Sequence, residues 1–184
     1  MKKFFIILVV TIGVLTFFYF IRHNSYTNNP SSSVADGNNA FHPDPSNATF
    51  IFDDGPITLS DGRSMRAATP QSALSEEIAI IDTVAYGDIN QDNKEDTVLL
   101  LTRYGGGSGT FIYAAAFVSG PVSYKGSRVL FIGDRVAPQS ISINRGIITV
   151  EYLDRNPSEA FAAEPTVLTS KQFIYSNSTN LQER

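Results

Sequence analysis

Apolar positions follow two different patterns along the chain. Near the N-terminus they are continuous. Lys2-Lys3 is followed by the 18-residue run Phe4–Ile21, interrupted only by Thr11, Gly13 and Thr16 and closed by Arg22. At about 1.5 Å per residue the run spans roughly 27 Å, close to the hydrocarbon thickness of a bilayer. It ends in Phe17-Phe18-Tyr19-Phe20-Ile21, with no small-residue pattern for cleavage behind it. Residues 1–22 are therefore expected to be an uncleaved membrane anchor. Two lysines before the run against one arginine after it place the N-terminus inside. The bulk of the chain is then extracytoplasmic, on a single-pass cell-membrane protein.

Residues 23–47 change character. They are polar and rich in Asn, Ser and Pro, a composition that buries too little apolar surface to offset chain entropy. This stretch is expected to be a flexible linker. From 48 to 176 the apolar residues fall in short runs separated by turn residues, which is a strand signal. Runs are expected at 49–52, 57–59, 78–86, 96–104, 110–118, 127–132, 140–143, 147–153 and 167–175. Ser72–Ile78 is the one ambiguous segment, able to cap and start a short helix. Ile141 and Ile143 alternate with serines, giving one wet face. Val98–Leu101 and Phe111–Val118 are apolar at both parities, so both are expected to be central strands covered on two sides. Hairpin-length connections predict a mainly β, antiparallel domain, either a sandwich or a partly open barrel. Residues 177–184 read as a disordered tail.

Between the two strongest runs lies Gly87-Asp-Ile-Asn-Gln-Asp-Asn-Lys-Glu-Asp96. Asp88, Asn90, Asp92 and Asp96 stand at positions 1, 3, 5 and 9 of a tight loop, with the carbonyl of Lys94 at position 7. Calcium takes about six to eight oxygens at about 2.3–2.6 Å, and this register supplies them from side chains and one backbone group. The turn at position 6 falls on Asn93, the non-glycine residue that best tolerates left-handed dihedrals. One bound calcium ion is expected, held by Asp88, Asn90, Asp92, Lys94 and Asp96. The competing reading is an acidic turn capped by its own Asp and Asn side chains.

Composition narrows the chemistry further. The chain has no Cys, which removes disulfides, thiol catalysis, thiolate metal sites and a lipid-modified N-terminus. Its two histidines, His23 and His42, precede the strand-rich region, which is expected to exclude histidine-based triads and zinc sites there. The formal net charge is −4 with no basic stripe, so nucleic acid is not an expected partner. Gly105–Gly109 lacks the Lys and the following helix of a phosphate loop and reads as a hairpin turn. Asp134-Arg135 and Asp154-Arg155 each close a strand, either as ligand-facing charges or as cross-strand pairs. Tyr104, Tyr113 and Tyr124 are candidates for stacking on a sugar or peptide and equally for packing. Glu159 and Glu164 share a long loop and are the one carboxylate pair of interest for glycoside hydrolysis.

The loop Gly87–Asp96 resembles the calcium loops of FG-GAP and VCBS propeller repeats, whose consensus is Gly-Asp-x-Asn-x-Asp-Gly-x-x-Asp. A propeller needs several copies and this chain has one, so the loop chemistry is carried over and the propeller is not. A second resemblance rests on four motifs in order: Gly87–Asp96, Gly105-Gly-Gly-Ser-Gly-Thr-Phe111, Ile132-Gly-Asp-Arg-Val-Ala-Pro138 and Tyr152-Leu-Asp-Arg155. This arrangement is similar to a family of uncharacterised bacterial envelope proteins in which the first motif reads Gly-Asp-Leu-Asn-Gly-Asp-Gly. The present chain departs at Gln91 and Asn93, where that family has glycine. The resemblance implies an exported single domain and brings no activity with it. The expectation is a calcium-binding, non-enzymatic domain with a binding or structural role in the cell envelope, with an envelope protein or glycan as ligand. The alternative is a carbohydrate-active or other hydrolytic envelope enzyme using paired carboxylates.

Overall fold

The structure is a computed structural model that describes residues 41–68, 73–160, 162–176 and 180–184. Phe41–Arg184 forms one compact unit. The anchor expected over 1–22 and most of the linker lie outside the described residues. Among the described residues no helix is long and apolar enough to cross a membrane.

The unit is mainly β, as its short apolar runs require. The strands are β1 (Thr49–Phe52), β2 (Gly55–Thr58), β3 (Arg63–Ala67), β4 (Ser75–Gly87), β5 (Asp96–Tyr104), β6 (Phe111–Val118), β7 (Lys125–Gly126), β8 (Leu130–Asp134), β9 (Ala137–Asn144), β10 (Ile147–Asp154), β11 (Val167–Ser176) and β12 (Asn180–Glu183). β1 and β2 form an antiparallel hairpin. A curled sheet runs β3-β4-β5-β6-β7, with β8 also paired to β6, and a second sheet runs β12-β11-β10-β9. Ser75–Ile78 is strand, which resolves the ambiguity at 72–78 for the described residues. The compact unit also takes in two margins read as linker and tail. Thr97 Oγ1 donates to the Pro43 carbonyl at 2.6 Å. At the other end β12 pairs with β11 and buries Leu181.

β5 sits at the centre because its side chains are apolar on both faces. Val98 and Leu100 join Ala114, Ala116, Ile148, Val150 and Phe173 in one core, shared with the β9–β12 sheet. Leu99 and Leu101 point the other way, to Ile78, Ala115 and the hairpin residues Phe50, Phe52, Ile57 and Leu59. All four β5 residues have zero exposure. Burying each of these leucines contributes about 1.5–3 kcal/mol. β9 shows the expected half-wet pattern, with Ile141 and Ile143 packed inward and Ser142 exposed. The turn from β9 to β10 places Arg145 and Gly146 at φ of 51° and 76°, the left-handed pair that a two-residue hairpin demands.

Opposite the middle of β6 the chain turns away after Ser127 N, which still bonds the Ala116 carbonyl, to bond β1. Ile51 N donates to Ser127 O, and Val129 N to Ile51 O. Buried Ser127 repairs the gap in β6, since its hydroxyl accepts from Ala116 N and donates to Arg128 O. β1 crosses so closely that a Cβ on Gly126 would lie 2.2 Å from the Thr49 carbonyl oxygen. Only glycine fits there.

A charge cluster fastens the β1–β2 hairpin to the sheet beneath it. Arg103 on β5 donates to both oxygens of Asp54 at 2.9 and 2.7 Å, and to Glu76 at 2.7 Å. Arg66 on β3 bonds the same two carboxylates, and the Arg103 guanidinium lies 5.3 Å from the centre of the Phe52 ring. Two bidentate-capable arginines against two carboxylates leave the nearly buried Glu76 charge compensated. Hydrogen bonds from Arg103, then from Arg66, hold the Asp54 carboxyl well below the usual carboxylate range. A depressed folded pKa contributes stability above the unfolded value, and that contribution is lost as pH falls toward the folded one. Asp54→Asn cannot ionise. It is expected to lower the urea midpoint near neutral pH and to show a smaller further drop between about pH 5 and pH 3 than the parent chain. Equal acid slopes in the two proteins would contradict this role for Asp54.

Candidate functional site

The loop between β4 and β5 carries the residues singled out for calcium. Its sequence folds by turning its own oxygens onto its own backbone. Asp88 Oδ1 accepts from Gln91 N at 2.6 Å and Asp92 N at 3.2 Å, while Oδ2 accepts from Asn93 N at 2.8 Å. Asn90 Oδ1 accepts from Asp92 N, and Asp92 Oδ1 accepts from Lys94 N. This is a run of Asx turns, in which short side chains replace absent strand partners. Gln91 and Asn93 take φ of 65° and 62°. These are left-handed dihedrals, which glycine adopts without steric cost and other residues adopt less readily.

Asp96, the ninth position, is different. It is fully buried at the head of β5. Its Oδ2 accepts from Ile89 N at 2.9 Å and its Oδ1 from Ser119 N at 2.8 Å. Ser119 follows β6 and is a second hub. Its hydroxyl donates to Asp92 Oδ2 at 2.6 Å, and its carbonyl and hydroxyl oxygens accept from Asn90 Nδ2. The 119–120 segment thus fits over the loop, and Lys94 Nζ adds a longer contact to the Gly120 carbonyl. Ser119 was not legible as a site residue, since Ser119-Gly120-Pro121 reads as an ordinary turn after an apolar strand. His42 flanks the same loop. It stacks on Tyr86 with ring centres 4.1 Å apart and contacts the Glu95 carboxylate.

The electrostatics of the loop contrast with the rest of the molecule. Burial pushes the Asp96 carboxyl up, and the nearby Asp92 charge adds to the shift. The Asp92 carboxyl is lowered, first by the Ser119 hydroxyl. No Lys or Arg forms an ion pair with Asp88, Asp92 or Asp96 among the described residues, the nearby Lys94 charge only helping to lower Asp92, whereas Asp53, Asp54, Glu76, Glu77 and Asp134 each hold an arginine. An ionised carboxylate pair offers about eight lone-pair sites, and Asp92 and Asp96 use fewer than that on protein donors. The donor chemistry therefore suits a hard cation. As the side chains stand, no three of His, Cys, Asp and Glu converge as a metal-ligand group among the described residues.

The other sequence candidates are engaged elsewhere. Arg135 pairs with its own neighbour Asp134, and Asp134 also accepts from Thr110 N. Arg155 donates to the carbonyls of Asp134 and Arg135 at 2.5 and 2.9 Å. The two strand ends are thus joined, with Arg155 bonded to backbone oxygens across the gap. Glu159 turns back on Asn156, accepting from its backbone N and its side-chain amide. Glu164 is exposed and makes no hydrogen bond or ion pair with it among the described residues. Gly105–Gly109 connects β5 to β6 as a hairpin loop. Tyr113 packs edge-on against Phe52 and Phe131, and Tyr124 stacks on Phe117.

Searches against protein-family models, curated proteins and solved structures find no match to this chain. The site is therefore read from its own chemistry.

Relieving one left-handed side chain tests the loop geometry. Gln91→Gly keeps the N–H that bonds Asp88 and removes the Cβ. It is expected to raise unfolding stability by about 0.5–1 kcal/mol, because strain relief exceeds the added chain entropy. Chemical denaturation checks this, and a loss of stability would contradict the assigned backbone.

Proposed function

We propose that this chain is a membrane-anchored, extracytoplasmic domain that binds one calcium ion and serves a binding or structural role in the cell envelope. Residues 4–21 supply the anchor. The layered strands form an antiparallel sandwich that carries the 88–96 loop at one end. Asp88, Asn90, Asp92, the Lys94 carbonyl and Asp96 are the ion's ligands in this reading.

The observation that carries it is the uncompensated charge of the loop. Four carboxylates, Asp88, Asp92, Glu95 and Asp96, lie within nine residues; Asp96 is fully buried, and neither it nor Asp88 nor Asp92 forms an ion pair with Lys or Arg among the described residues. Elsewhere this protein places arginine against carboxylates that are partly buried. A buried ionised carboxylate without a counter-charge is costly, and a divalent cation offsets that cost. The ion's contribution here is mechanical. It would fasten the β4–β5 turn, the head of the central strand and the Ser119 segment to one another. No catalytic step is assigned to it.

The test is thermal unfolding of the full chain in detergent, first in excess EDTA and then in calcium up to about 10 mM, the range of weak extracellular sites. At ten times the dissociation constant, binding adds about 1.4 kcal/mol, which corresponds to a rise of a few degrees. The rise is expected to vanish in Asp92→Ala. An unchanged melting temperature, or the same rise in Asp92→Ala, would overturn the ion site and leave a self-capped acidic turn.

A further inference from the structure

Beside the cation loop, a cleft of about 480 Å3 opens between β1 and the chain entering β7. One wall is aromatic. Phe117 and Tyr124 stack with ring centres 5.4 Å apart and planes 29° apart. Phe41 extends the row at 6.3 Å from Tyr124 and is 72% exposed. The other wall is β1, which contributes half-exposed Ile51 and exposed Thr49.

Polar groups at the rim keep open capacity. Asp44 receives both Ser46 donors on Oδ1 alone, so its second oxygen can accept. Asn47 uses its carbonyl oxygen on Asp61 N, and its NH2 has no partner among the described residues. Lys125 is exposed and makes no ion pair among them. The cleft therefore sets an acceptor, an amide donor and a cation around apolar ring surface.

Its shape is fixed by the surrounding structure. Tyr124 is pinned by donating its hydroxyl to the Glu95 carbonyl at 3.0 Å. The missing Cβ of Gly126 lets β1 lie against β7. A site held in place in this way loses little freedom on binding.

We propose that this cleft binds an oligosaccharide, with sugar ring faces on Tyr124 and Phe117 and hydroxyls on Asp44, Asn47 and Lys125. A sugar presents apolar C–H faces and a hydroxyl rim, which matches aromatic walls edged by single polar groups. A peptide added as a strand would need open main-chain groups. Here Ile51 bonds Ser127 and Val129 through both its N–H and its carbonyl. A nucleic acid would need a basic surface, and the cleft holds one lysine beside an aspartate. The inference rests on the binding-module reading of the domain and names its ligand class. None of the sugar contacts named here is a ligand of the ion, although Glu95 of the same loop holds Tyr124.

The experiment is isothermal titration of the full chain, in a zwitterionic detergent free of sugar headgroups, with cellotetraose, chitotetraose and maltotetraose. It is run once in excess EDTA and once in about 10 mM calcium. Saturable binding of at least one tetrasaccharide is expected, about tenfold weaker in Tyr124→Ala. Phe131→Ala removes an exposed ring outside the cleft and is expected to leave it unchanged. Lys125→Ala touches no core residue and is expected to weaken binding severalfold, so the test survives if Tyr124→Ala does not fold. Binding of none of the three sugars, or equal binding by the parent and both cleft variants, would overturn the proposal. Sugar binding without a calcium-dependent melting shift would overturn the ion reading alone. A calcium shift without sugar binding would overturn this one alone.

Discussion

A buried carboxylate at the head of the central strand sets the terms for the rest of this fold. Asp96 opens β5, and β5 is the strand on which both cores are built. Its two oxygens tie the beginning of the β4–β5 loop, through Ile89 N, to the end of β6, through Ser119 N. Two hairpin ends are thereby closed by one side chain. The arrangement is strongest while Asp96 is ionised, because hydrogen bonds from N–H groups to a charged carboxylate exceed those to a neutral carboxyl. Burial opposes ionisation. A cation bound beside it would offset that cost.

The protein offsets the same cost differently at the other end of β5. Glu76 and Asp54 receive Arg66 and Arg103, and the cluster holds the hairpin layer onto the sheet. A guanidinium is large and planar and suits a site at the sheet surface. The 88–96 loop is wound by its Asx turns, and its one basic side chain, Lys94, reaches the Gly120 carbonyl rather than pairing with a loop carboxylate. A small ion from solvent is the compensation that such a loop can take. The same winding reaches the sugar-sized cleft, because Glu95 holds Tyr124 in place and Lys94 contacts the segment leading to it.

Much of this architecture was legible in the chain. Residues apolar at both parities, Val98–Leu101 and Phe111–Val118, mark central strands because only a doubly covered strand tolerates them. The alternation at 140–143 marks a one-sided strand for the converse reason. What escaped notice lacked a periodic signal. β3 is Arg-Ser-Met-Arg-Ala, an edge strand held by pairing to β4 and by Arg66 rather than by burial. β12 is four residues long and contributes one core side chain, Leu181. Among site residues, the register of Asp88, Asn90, Asp92 and Asp96 was visible because it is local. Ser119, His42 and the Asp54–Arg103 cluster were not, because their partners lie 27 to 53 residues away in sequence. Pairings at that separation depend on how the strands are stacked.

The central claim is that a divalent cation supplies the charge missing around Asp96. Equilibrium dialysis of the full chain against radioactive calcium measures this directly. The account predicts one ion per chain with a dissociation constant of about 0.1–1 mM, lost when Asp88 and Asp92 are both replaced by Asn. No bound calcium at about 10 mM, or binding that survives the double replacement, would contradict it.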